Sequence, residues 1–183
     1  MSIQYTIESY YVLAPLFLIF LVTLLGLTKL KIKRFTALQY TLLVTFGFYL
    51  LAVFHLVLFP IDVNIGLYAN QTPWYKHINF IPILTIDIKT FILNIIMLVP
   101  LGMYLPLLNR KYDNTKKAAK LVLILSLSIE VIQMVIGITL GSSRSTDIND
   151  IIANTLGGVL GFLIMNKLMQ ANAIQRFAAK FNL

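Results

Sequence analysis

Apolar residues along this chain gather into five long runs separated by short polar or basic connections. The runs cover approximately Tyr10 to Thr28, Thr36 to Phe59, Lys89 to Leu108, Lys117 to Leu140 and Ile148 to Met169. Each is close to the twenty or so residues that cross the hydrocarbon core of a bilayer. The pattern predicts an all-α fold, a polytopic bundle of about five transmembrane helices forming a single domain over residues 1–183, in the cell membrane with the lipid bilayer as its solvent. The first run lacks a basic stretch ahead of it and a small-residue cleavage signal after it, so it is expected to remain in the mature protein.

Two of these runs depart from uniform apolarity at helical spacing. In the fifth, Asp150, Asn154, Gly157 and Gly161 fall at offsets of zero, four, seven and eleven, and in the fourth Ser126, Glu130, Gln133 and Gly137 repeat those offsets. Such offsets place the residues on one helical face. A polar, small-residue face is suited to a protein neighbour, so the two stripes are expected to border one site. Asn94 in the third run, ahead of Pro100 and Pro106, is a candidate for the same site, since interior prolines bend a helix and widen the space beside it. Asn94 serves equally well as a plain interhelical hydrogen bond.

Charge changes the picture chiefly by orienting the bundle. Only 12% of residues are charged and the mean hydropathy is +0.83, against roughly 25% charged residues in soluble domains. The net charge of +8 would suggest nucleic acid in a soluble protein; here the basic residues lie between apolar spans and read as topology signals, with no nucleic-acid partner. Lys29, Lys31, Lys33 and Arg34, then Arg110, Lys111, Lys116, Lys117 and Lys120, then Lys167, Arg176 and Lys180 all fall on one side, and Lys76, Lys89 and Arg144 on the other. The positive-inside rule therefore predicts an outer N-terminus and a cytoplasmic C-terminus. After the fifth span, Ile174, Phe177 and Phe181 beside Arg176 and Lys180 predict an amphipathic tail helix on the anionic inner leaflet. The outer connection from Pro60 to Ile88 carries Tyr68, Trp74 and Tyr75, suited to the membrane interface. Its apolar segment from His77 to Pro82 is expected to lie over the bundle.

Glu130 stands near mid-membrane, where a charge costs several kcal/mol, so it must be neutral, paired or beside a wet cavity. Gln133 lies one turn nearer the outer side. Arg144 offers a fork that can hold a carboxylate or a phosphate. Asp147 is placed to cap the fifth helix and Asp150 to sit in its first turn, where the free backbone donors and the dipole favour acids. Asn94, Glu130, Gln133, Arg144, Asp147, Asp150 and Asn154 together make the candidate ligand pocket. The absence of cysteine excludes disulfides and thiolate chemistry. His55 and His77 are isolated, and no metal site or cofactor is expected. There is no P-loop, nucleotide-binding glycine run or nucleophile elbow.

At these residues the chain resembles the VanZ-like family of bacterial membrane proteins. The resembling segments are Asn79 to Pro82 (NFIP), Leu93 to Pro106 (LNIIMLVPLGMYLP), Ser128 to Gln133 (SIEVIQ) and Arg144 to Gly158 (RSTDINDIIANTLGG), within a core of about 79–161. It departs from the family pattern at Thr146, often aromatic, and Asn149, often a third acid. The resemblance implies a cell-envelope role in a Gram-positive bacterium, with resistance to the glycopeptide teicoplanin as the founding association, and no agreed enzymatic activity. Three readings follow. The first is a binding protein whose outer pocket takes a lipid-linked cell-wall precursor or a lipoglycopeptide. The second is an enzyme on a lipid-linked phosphate or glycan, with Glu130 and Asp147 or Asp150 as an acid and base pair. The third is a small transporter or flippase, against which the absence of a visible internal repeat counts.

Overall fold

The computed structural model describes residues 2–69, 73–109 and 111–181. Arg110 and the side chains of Trp74 and Phe177 lie outside what it describes. Five helices are long and apolar enough to cross a membrane: α1 (Ser9–Lys29), α2 (Ala37–Leu58), α3 (Ile88–Leu108), α4 (Thr115–Leu140) and α5 (Ile148–Leu168). This is an all-α, multi-pass membrane protein. A short helix, α6 (Asn172–Ala178), follows α5.

The helix boundaries have local causes. Thr36 and Gln39 make a reciprocal capping box at the start of α2, and Asp87, Asn114 and Asp147 accept from first-turn backbone N–H groups of α3, α4 and α5. Side-chain oxygens there replace the missing intrahelical acceptors. At its other end α4 closes on Gly141 in the left-handed conformation, φ 66°. A Cβ at Gly141 would also stand 2.4 Å from the Asn64 carbonyl oxygen, so both backbone and space demand glycine.

α5 is the most buried span, with α3 and α4 packed against it, while α1 touches little beyond α2. Lipid tails are as apolar as leucine, so helix association here rests on close packing and polar links. A Cβ on Gly157 would stand 2.2 Å from the Ile95 carbonyl oxygen, and one on Gly161 1.9 Å from that of Val99. The glycine half of the α5 stripe therefore serves contact with α3, while Asn154 turns to α4. Around this seam Leu98, Leu101, Leu105, Val122, Ile129 and Phe162 form the apolar core.

Beside Pro100, α3 is tied to α2. Tyr49 of α2 inserts its hydroxyl into the α3 ladder, donating to the Met97 carbonyl at 2.8 Å and accepting from the Leu101 N–H at 3.2 Å. A polar link of this kind holds two helices together in lipid.

Two small sheets were not foreseen by the apolar pattern. Ahead of the first span lies a strand, β1 (Ile3–Ile7), antiparallel to β2 (Ile61–Ile65). β3 (Ile78–Asn79) pairs in parallel with β4 (Thr146–Asp147), so the segment expected to cover the bundle is pinned to the start of α5. Both sheets lie at the same end of the bundle, called the loop face below. At the opposite, basic face, Ile174, Ala178 and Phe181 line a cavity with Leu42, Pro100 and Met103. Ile174 and Ala178 of α6 are thus turned onto the bundle itself.

Candidate functional site

The α4 stripe is buried: Ser126, Glu130 and Gln133 all face inward. Ser126 accepts from the Asn154 amide at 3.1 Å, which ties the two stripes together. One turn toward the loop face, a Glu130 carboxylate oxygen accepts from the Asp147 backbone N–H at 3.0 Å. The Gln133 amide donates to the Val57 carbonyl at 2.8 Å, one of the last carbonyls of α2, which has no helical donor of its own.

Arg144 lies in the connection between α4 and α5, and its guanidinium donates to the Phe59 carbonyl at 2.7 Å. The carboxylate partner that its position allowed is not the one it takes. Among the described residues the ion pair is Lys117 with Asp113, on the basic face. Asn64 donates to the Gly141 carbonyl at 3.2 Å and holds β2 over the same connection.

Asp147 and Asp150 separate in role. Asp147 accepts from the Asn149 N–H at 2.8 Å and from the Asn79 amide at 3.0 Å, so its carboxylate both caps α5 and fastens the covering segment. Asp150 faces inward within hydrogen-bonding reach of Asn94. Both acids lie near enough to Glu130 for their charges to act on it. Among the described residues no group of three His, Asp or Glu side chains converges as a metal site.

Between α2, α3, α4 and α5 lies a cavity of about 390 Å³. Asn94, Glu130, Gln133, Arg144, Asp150 and Asn154 line its polar side, and Leu56, Val57, Leu93, Ile96, Met97 and Ile129 its apolar side. Its size falls within the range of small-molecule sites, and mostly apolar walls with a few convergent polar groups are usual there. Six of the seven candidate residues border one space, and Asp147 stands outside it. His55 faces a separate cavity beside α1.

One contributor was not among the candidate pocket residues. Asn149 is buried and uses both ends of its amide, accepting from the Ile83 N–H at 2.8 Å and donating to Thr85 at 3.2 Å and the Ile81 carbonyl at 3.4 Å. It pins the 79–85 segment over the start of α5. In the sequence it stood out only as the position where the family often carries a third acid.

A family model described as VanZ/LLP1 matches residues 46–170, reaching beyond the resembling segments on both sides. Protein VanZ of Enterococcus faecium is 33% identical over 132 residues, which are 70% of this chain and 77% of that protein. No solved structure matches the chain.

Proposed function

The chain belongs to the VanZ/LLP1 family, and from that membership we propose that it is a non-catalytic envelope protein whose polar cavity holds an amphiphile of the cell envelope, a lipid-linked wall precursor or a lipoglycopeptide. The observation that carries this reading is the gathering of Asn94, Glu130, Gln133, Arg144, Asp150 and Asn154 around one cavity near the loop face. Polar groups inside a membrane are costly, and a ligand that uses them explains their concentration in one place. The distribution of basic residues supports placing the loop face outside the cell, where such amphiphiles are found. Binding is favoured over pairing Glu130 with Asp147 as acid and base because Asp147 stands outside the cavity, held by its cap and by Asn79.

Drug susceptibility of a host expressing the wild type, Glu130→Gln or Arg144→Ala at matched protein levels tests this, with teicoplanin compared against vancomycin. A selective shift with teicoplanin, lost in both variants, is expected. No shift with protein present in the membrane would remove the lipoglycopeptide from the proposal. Turnover of a lipid-linked phosphate by purified protein, abolished by Glu130→Gln, would replace binding with catalysis.

A further inference from the structure

The cavity is unbalanced in its hydrogen bonding. The Gln133 side chain is only 8% exposed and its amide oxygen has no partner. Its orientation is fixed by the Val57 carbonyl, which can only accept, so the nitrogen must point there and the oxygen is the atom left over. Asn154, 2% exposed, spends one end of its amide on the Ser126 hydroxyl, which can donate or accept, and leaves the other end without a partner. The Glu130 and Asp150 carboxyls add further acceptors to the same lining, and Arg144 is the cation among the lining residues, already donating to Phe59. A buried acceptor without a donor costs about 1–3 kcal/mol, so the site is built for something that donates. A bare phosphate brings only more acceptors and negative charge, whereas hydroxyl groups donate to the amide and carboxyl oxygens.

The way in is equally specific. Over the ends of α2 and α4 the cavity is covered by Arg144 on Phe59 and by Asn64 on Gly141. Over the start of α5 the 79–85 segment is held by Asn149 and Asp147. The remaining lining lies on α2 and α3, which pack loosely against each other. There Leu56, Leu93 and Ile96 are 62%, 55% and 60% exposed. Ile96 is eight residues into α3, which at 1.5 Å per residue is about 12 Å below its start, at the depth of lipid chains. The mouth is therefore apolar and faces the bilayer while the far wall is polar.

We propose that the cavity is a side-entry lipid site that takes a sugar-headed amphiphile from the leaflet at the loop face, its hydroxyls on Gln133, Asn154, Glu130 and Asp150 and its acyl chains passing between α2 and α3. This rests on the binding reading above and names the chemistry of the ligand and its route. The full chain in phosphatidylcholine nanodiscs is titrated with monoglucosyl diacylglycerol, with phosphatidic acid of the same chains, and with free glucose. Saturable binding of the glucosyl lipid is expected, with phosphatidic acid and glucose each weaker by about tenfold or more, the worth of one or two buried hydrogen bonds. Gln133→Leu is expected to weaken the glucosyl lipid by about tenfold, and Ile96→Trp, at the mouth, to slow its entry.

Phosphatidic acid binding as tightly as the glucosyl lipid, with the Arg144→Ala variant losing it, would leave the pocket reading standing and overturn the sugar headgroup. Free glucose binding as well as its lipid would overturn the side entry. No saturable binding of any probe would overturn both. The ranking of the three probes is read on the wild type and does not depend on the folding of Gln133→Leu or Ile96→Trp.

Discussion

Replacing Gly157 by alanine tests whether the α3–α5 seam sets the geometry of the cavity. The added Cβ would stand 2.2 Å from the Ile95 carbonyl oxygen and 2.9 Å from its carbon. Carbon and carbonyl oxygen come no closer than about 3.3 Å in favourable contact, so the helices must part locally by roughly 1 Å. A backbone carbonyl held in a helix cannot rotate away as a side-chain tip would. Overpacking of this kind costs about 1–3 kcal/mol, against which alanine recovers up to about 1 kcal/mol of helix propensity. The clash should win, with a net loss of about 1–2 kcal/mol. Gly26 is the control: a Cβ there meets nothing within 4 Å, so its alanine variant isolates the propensity gain. Thermal unfolding in detergent compares the two. Because Ile95 adjoins Asn94, parting the seam should also loosen the contact of Asn94 with Asp150 and weaken ligand capture. Equal stability of the two variants would refute the close-packed seam.

Tyr49→Phe removes the hydroxyl that links α2 to Met97 and Leu101 and is expected to cost about 1 kcal/mol, the worth of an interhelical hydrogen bond, since the Met97 carbonyl and Leu101 N–H can still pair with each other along α3, read by the same unfolding assay. Asn149→Asp keeps an acceptor for the Ile83 N–H but loses the donations to Ile81 and Thr85, at about 1 kcal/mol each, and protease cleavage within 80–86 should accelerate. The Thr90 hydroxyl and backbone N–H hold the Asp87 carboxyl below its usual range. A lowered folded-state value means that the cap contributes above the unfolded-state pKa and is lost as pH falls through the folded one. Hydrogen exchange at the start of α3, corrected for intrinsic rate, should therefore rise below about pH 4.

The five spans were legible because lipid imposes a length and a composition that few other environments require. The stripes at Ser126–Gly137 and Asp150–Gly161 were legible for a similar reason, since a polar residue in an apolar helix needs a protein neighbour. Which neighbour was not legible: Gly157 and Gly161 meet α3 while Asn154 meets α4, a division set by how three helices share one face. The strand Ile3–Ile7 alternates as a strand should, yet its partner lies more than fifty residues away, and five residues give too short a period to stand out beside an apolar run. Arg144 shows a further limit. Its charge suggested a carboxylate or a phosphate, and within the chain it donates to a helix-end carbonyl at Phe59, whose need for a donor follows from where α2 stops.

Native mass spectrometry of the wild-type chain released from its own membrane, beside the Gln133→Leu variant prepared in parallel, tests most directly whether the cavity holds an envelope amphiphile. A discrete adduct with the mass of one amphiphile is expected on the wild type, reduced in the variant. A wild-type chain free of adduct, or an adduct unchanged by the substitution, would contradict a ligand-holding cavity.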